Sequence, residues 1–187
     1  MARIAFVLGE DFEDSEFRKP YDGLKASGHE IDILGAEAGT RVKGKRGKEE
    51  IEIEKAAANA KPEDYDAVVI PGGYSPDHLR TNPDVVDFVS KMVRGDKLIA
   101  AVCHGPQLLI EAGAVDGKRM TSWPSVKKDL QNAGAHWLDR EVVVDGKLIT
   151  SRKPDDLPAF TRTIDQTLSA PHELLRDEAH RELQRQP

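Results

Sequence analysis

Three runs of this chain contain no polar side chain: Ile4-Ala5-Phe6-Val7-Leu8, Ala67-Val68-Val69-Ile70 and Leu98-Ile99-Ala100-Ala101-Val102. A strand with one face in water alternates apolar with polar residues. Unbroken runs of four or five therefore suit strands covered on both faces, the condition of a parallel sheet between two helical layers. His29-Glu30-Ile31-Asp32-Ile33-Leu34 supplies a further strand. Between these runs the pattern predicts helices over residues 13–26, closed by Ser27-Gly28, over 83–94 behind an Asn82 cap, after Cys103, and over 155–169. Strand and helix alternating in this order predict an α/β fold, a doubly wound, mainly parallel sheet.

Two hairpins complete the pattern. One carries the basic cluster Lys43-Gly44-Lys45-Arg46-Gly47-Lys48 at its tip, with its charges expected in water. The other, Glu141 to Thr150, is expected to turn at Asp145-Gly146 in type I′ geometry and to flank the sheet. A length of 187 residues suits one core, placed in residues 1–170, with 171–187 as a charged C-terminal tail.

The formal net charge of −6 leaves no broad basic surface for a phosphate backbone, and aromatics for base stacking are only 5% of residues, so no nucleic-acid partner is expected. No apolar run approaches the roughly 20 residues that span a bilayer, so no membrane insertion is expected. A single cysteine cannot form an intrachain disulfide, and the apolar start of the chain is too short for a signal peptide, which points to a cytoplasmic protein. The histidines have no ligand-like spacing; neither a metal nor a cofactor is expected.

Ligands of such sheets bind at the carboxyl ends of the strands. Three loops there carry unusual chemistry: residues 9–16, 71–77 and 103–105, expected to converge on one pocket. Cys103 stands where an apolar strand breaks into His104-Gly105-Pro106, the position of a nucleophile on a sharp strand-to-helix turn. A helix N-terminus and a neighbouring His are expected to lower its thiol pKa. Gly72 and Gly73 offer backbone N–H groups that, with that of His104, form an oxyanion site. Side chains of successive residues diverge, so His104 is expected to point to another partner. Asp77 is the nearest candidate to orient it, from its own chain or a neighbour. In the acidic loop, Glu16 is expected to face inward with a raised pKa and donate to sulfur, while Asp14 and Ser15 cap the helix. Trp123 lines the pocket.

With those residues assembled, the chain resembles the DJ-1/PfpI superfamily, in its PfpI-like intracellular protease and general-stress-protein branch. The likeness rests on Ala101-Val102-Cys103-His104-Gly105-Pro106-Gln107, Phe12-Glu13-Asp14-Ser15-Glu16, Pro71-Gly72-Gly73 with Pro76-Asp77, and Thr121-Ser122-Trp123-Pro124. The resemblance implies a flavodoxin-like sandwich, Cys103 as nucleophile and Glu16 as the protonated carboxyl at its sulfur. It also implies that Asp77 from an adjacent subunit completes a triad with Cys103 and His104, within a homodimer or a hexamer. Asp77 stands where the archetypal protease has Glu, and Trp123 where it has Tyr, which turns the expectation from peptide cleavage toward small aldehydes. The function expected is a cysteine-dependent stress-response enzyme of hydrolase or lyase type, acting on small dicarbonyls or glycated adducts as a glyoxalase III or deglycase does. Intracellular peptidase action and redox sensing through oxidation of Cys103 are the alternatives.

Overall fold

In the computed structural model, which describes residues 1–170, the first apolar run forms strand β1 (Arg3–Val7), and the chain then turns into helix α1 (Asp14–Ala26). Gly28, at φ 87°, takes the left-handed conformation that lets the chain leave the helix without a side-chain penalty. Strand β2 (Glu30–Gly35) returns parallel to β1, with Phe6 opposite Ile33. A small antiparallel hairpin, β3 (Arg41–Lys43) and β4 (Glu50–Glu52), precedes the short edge strand β5 (Lys55–Ala56). Strand β6 (Ala67–Ile70) pairs on the other side of β1 and leads into a helix of five residues, α2 (Ser75–Leu79). Helix α3 (Pro83–Arg94) follows, and the Asn82 side chain accepts from the N–H groups of Asp84 and Val85 at its start. Strand β7 (Leu98–Val102), helix α4 (Pro106–Glu111), strand β8 (Arg119–Met120), helix α5 (Lys127–Asn132) and strand β9 (His136–Trp137) come next. The chain closes with β10 (Val142–Asp145), β11 (Leu148–Ser151) and α6 (Leu157–Ser169).

The main sheet has the order β10-β11-β7-β6-β1-β2-β5, parallel throughout except for β10. Its five inner strands have the flavodoxin-like order, so the crevice where winding reverses opens between β1 and β6, beside the end of β7. The three chemically loaded loops leave those three neighbouring strands.

Each unbroken apolar run divides between two cores because alternate side chains face opposite ways. Ile4 and Phe6 pack with Phe17 and Leu24 of α1 and with Phe160 and Ile164 of α6. Ala5 and Val7 pack on the opposite face with Val85, Phe88 and Val89 of α3, Leu108 and Leu109 of α4, and Leu130 of α5. Full burial of one such Leu, Val or Phe contributes about 1.5–3 kcal/mol, which makes these runs the main stabilising element of the sheet. Gly23 sets the approach of α1 to α6: a methyl group there would meet Thr161 Cγ2 at 2.8 Å.

Three local expectations are corrected. The second hairpin does not merely flank the sheet; β11 extends it parallel to β7, and β10 is its antiparallel edge. Asp145 pairs with Leu148, so the turn residues are Gly146 and Lys147, and only Gly146 has positive φ (60°), the pattern of type II′ rather than I′. The basic tip keeps its Lys and Arg side chains exposed, as expected, and its backbone is tied down: Asp14 accepts from the N–H groups of Arg46, Lys48 and Glu49, and the Lys45 N–H donates to the Phe12 carbonyl. Asp14 therefore caps the hairpin loop and not its own helix, whose N-cap residue, Glu13, makes no side-chain cap. The expected tail, with His172 and His180, lies outside the described residues. Among the described residues no helix is long and apolar enough to cross a membrane.

Candidate active site

Cys103 follows β7 with φ 62°, the left-handed region that non-glycine residues enter only at a cost of roughly 1–2 kcal/mol. Neighbouring strands hold it there. Its N–H donates to the Ser151 carbonyl at 3.0 Å, its carbonyl accepts from the Trp123 N–H at 3.0 Å, and the Gly105 N–H closes the turn on the Val102 carbonyl at 2.8 Å. Only glycine fits at 105, because a methyl group would lie 2.5 Å from the Ile70 carbonyl oxygen. The turn pitches sulfur over the carboxyl edge of the sheet, where the residue remains only 6% exposed.

The same turn overturns the expectation that His104 points away. With Cys103 left-handed, His104 Nδ1 lies 3.3 Å from Cys103 Sγ, and His104 Nε2 lies 3.3 Å from Ser125 Oγ. Burial, and then the charge of Lys45, hold the imidazole below its ordinary pKa against the opposing pull of Asp77, so the ring is neutral at pH 7. Asp77 itself is exposed on α2 and makes no hydrogen bond to His104 within the protomer. It acts on the ring through charge alone.

Glu16 is completely buried, and its Oε2 accepts from the Gly72 N–H at 2.8 Å. Burial pushes its carboxyl up to about 8, against the lowering effect of the Gly72 N–H and of the neighbouring Cys103 side chain. A carboxyl with that value carries its proton at neutral pH.

The direction of the thiol shift is the reverse of the one expected. Burial pushes the Cys103 thiol well above its usual range and a charged Glu16 adds to this, while the backbone N–H groups of His104 and Gly73 pull it down without compensating. The cause is the surroundings. Cys103 belongs to the buried apolar cluster that also holds Phe12, Phe17, Val102 and Leu157, and α4 is only six residues long. The expected oxyanion site is also narrowed, because the Gly72 N–H is committed to Glu16 and only those of Gly73 and His104 face sulfur.

Two neighbours were not anticipated. Lys45 reaches from the hairpin to place Nζ 2.8 Å from Glu13 Oε2 and 6.0 Å from the Tyr74 ring centre. Ser125 meets His104. Neither contact has a signature in spacing, because each joins segments brought together only by the crossovers of the sheet. Tyr74 and Trp123 are 63% and 40% exposed, and Trp123 holds the Cys103 carbonyl through its own N–H. A groove of about 860 Å³ carries Asp77, Arg80, Asp87 and Glu111 but neither Cys103, Glu16 nor His104. Among the described residues, no group of three or more His, Cys, Asp or Glu side chains is gathered as for a metal ion.

The model of the DJ-1/PfpI family matches residues 2–166. General stress protein 18 of Bacillus subtilis is 45% identical over 161 residues, which is 86% of this chain and 94% of that protein. Protein/nucleic acid deglycase 2 of Escherichia coli is 44% identical over 169 residues, 90% of this chain and 98% of that one. Drosophila melanogaster DJ-1beta superposes with a TM-score of 0.84 at 31% identity, covering 97% of both chains. A two-domain protein of Anabaena variabilis, with DJ-1/ThiJ/PfpI-like and ferritin-like domains, superposes at 0.89 with 43% identity, over 92% of this chain and 50% of that one. This chain thus spans half of that longer protein.

Proposed function

This chain belongs to the DJ-1/PfpI family, and from that premise we propose that it is a cysteine-dependent stress-response enzyme acting on small dicarbonyls or on their adducts with amines. One observation carries the proposal: a sulfur touched by a neutral imidazole and a protonated carboxyl, with the N–H groups of Gly73 and His104 turned toward it. The names of two relatives, a general stress protein and a protein/nucleic acid deglycase, support the same direction.

Cys103 rests as a thiol. Its sulfur attacks the aldehyde carbon of an α-oxoaldehyde, the S–C bond forms, and the carbonyl π pair becomes an oxyanion held by the Gly73 and His104 amides. The thiol proton passes to His104 Nδ1 and from there to that oxygen, giving a hemithioacetal. His104 takes the proton from the former aldehyde carbon and returns it to the adjacent ketone carbon, while the hemithioacetal hydroxyl proton is lost and the ketone oxygen gains one by way of an enediol, which leaves a thioester of a 2-hydroxy acid. Water cleaves the thioester and restores the thiol, so the aldehyde carbon is oxidised, the ketone carbon is reduced and no external electron carrier takes part. Glu16 keeps a proton at sulfur throughout and prevents a second buried charge. A carbonyl adduct of an amine offers the same electrophilic carbon. The acidic, aromatic-poor composition speaks against a surface that tracks a phosphate backbone, and leaves a single glycated nucleotide open as a small ligand.

Self-association as a homodimer or hexamer belongs to this reading, since Asp77 is exposed beside the site, where a second copy can reach it. Light scattering gives the stoichiometry. The activity is tested by lactate formation from methylglyoxal without glutathione, in the unaltered protein and in Cys103→Ala. Loss to background in the variant is expected; equal lactate from both would remove the proposal.

A second reading has support from the same carboxyl. Glu16 Oε1 is buried without a hydrogen-bond partner, and a sulfinate on Cys103 would give a protonated Glu16 an acceptor. Intact mass after mild peroxide decides this: oxygen gained at Cys103 before any methionine supports a sensor role, and oxygen gained only at methionine rules it out.

A further inference from the structure

We propose that Ser125 is a positioning residue that fixes the tautomer of His104, so that Nδ1, facing sulfur, is the nitrogen free to take the thiol proton. The inference rests on the cysteine-dependent reading and adds to it a residue outside the three converging loops.

The geometry leaves little choice of roles. In a neutral imidazole one ring nitrogen donates and the other accepts. His104 Nδ1 lies 3.3 Å from Cys103 Sγ and Nε2 lies 3.3 Å from Ser125 Oγ, so the two contacts are coupled through the ring. If Nδ1 is to accept the S–H proton, the hydrogen must sit on Nε2 and needs an acceptor there. The Ser125 hydroxyl oxygen is placed to be that acceptor. Asp77, the expected orienting acid, makes no hydrogen bond to the ring within the protomer.

Ser125 is exposed, yet its backbone is anchored. It lies in the 3-10 turn Pro124–Val126, closed by the Val126 N–H donating to the Trp123 carbonyl at 3.0 Å. That carbonyl also accepts from Ser122 Oγ at 2.8 Å, and Ser122 Oγ accepts from Trp137 Nε1 at 2.9 Å. The Trp123 N–H, in turn, holds the Cys103 carbonyl. One short segment therefore fastens both members of the reacting pair: Trp123 the backbone of the nucleophile, Ser125 the ring of the base. Such a segment ties the backbone of the nucleophile and the ring of the base to one anchor.

The test reads the tautomer directly. Long-range proton–nitrogen NMR of histidine-labelled protein, above the titration of His104, is expected to show a pyridine-like Nδ1 and a pyrrole-like Nε2. Ser125→Ala should convert this to a mixture of tautomers, and Ser125→Thr, which keeps a hydroxyl, should restore it. Both substitutions are at an exposed position and leave the buried core intact. In lactate formation from methylglyoxal, Ser125→Ala should lower kcat about tenfold, the value of one ordinary hydrogen bond, with KM unchanged and with recovery in Ser125→Thr. A protonated Nδ1 in the unaltered protein, or a spectrum indifferent to Ser125→Ala, overturns the proposal. So does a spectrum moved by Asp77→Asn and not by Ser125→Ala, which would make Asp77 the acceptor. If the unaltered protein makes no lactate, the proposed activity fails while the NMR result still decides the tautomer.

Discussion

The backbone N–H of Gly72 donates to Glu16 Oε2 at 2.8 Å, and a methyl group placed on Gly72 would lie 2.5 Å from that same oxygen and 2.8 Å from Cys103 Cβ. The missing side chain at 72 is thus what lets a carboxyl on α1 reach the turn after β7. Gly72→Ala must push Glu16 and Cys103 apart, an overpacking that costs roughly 1–3 kcal/mol. We expect a folded protein with a lowered thermal midpoint and loss of most Cys103-dependent activity. Full activity in Gly72→Ala would show that contact between carboxyl and sulfur is dispensable.

Glu16 also makes stability depend on pH. Its carboxyl lies near 4.5 when unfolded and is raised to about 8 in the folded protein. The folded state therefore holds the proton more tightly, so this stabilisation is complete below about 4.5 and is lost as pH rises through about 8. Within that window the slope approaches ~1.4 kcal/mol per pH unit. Denaturant unfolding of Glu16→Gln, which cannot ionise, should lack this term. Parallel curves of stability against pH for the two proteins would contradict the raised carboxyl.

The hairpin above the site depends on Asp14. Burial alone would raise this carboxyl, but the N–H groups of Arg46, Glu49 and Lys48 outweigh it and hold it below its ordinary value. The sign is opposite to that of Glu16: the stabilisation is present above the unfolded value of 3.8 and lost as pH falls through the lower folded one. Hydrogen bonds to a charged acceptor contribute about 1.5–3 kcal/mol. Asp14→Ala should leave the sheet intact and free the loop, seen as trypsin cleavage at Lys45 and Arg46 several times faster than in the unaltered chain. Unchanged cleavage would mean that the loop is held by other contacts.

The sheet was legible because each of its central runs is apolar on both faces, a property of the local sequence, and Cys103 was legible because the turn after β7 breaks such a run. Glu16 was found for the same reason, as the inward position of a helix start. What the sequence hid was relational. The direction of the Cys103 shift depends on its burial in a cluster that also gathers Phe12, Phe17 and Leu157, and those residues come from segments far apart in the chain. The left-handed backbone of Cys103 brings His104 back to sulfur, which adjacency alone argues against. Ser125 and Lys45 arrive through β8 and the β3–β4 hairpin, whose docking no periodicity records. The turn at Gly146-Lys147 shows the same limit at small scale: pairing of Asp145 with Leu148 selects the central residues, and an Asp-Gly pair is read differently without that register.

The central claim is that a protonated Glu16 stands at the sulfur of Cys103, and the alkylation of Cys103 by iodoacetamide, followed by intact mass across pH, tests it most directly. Below neutral pH the unaltered protein and Glu16→Gln should react at similar, slow rates, because both present an uncharged partner to a buried thiol. Above about 8, where Glu16 ionises and its charge opposes the thiolate, Glu16→Gln should react increasingly faster than the unaltered protein. Rates that coincide at every pH, or an unaltered protein that is the faster of the two at alkaline pH, would contradict the account.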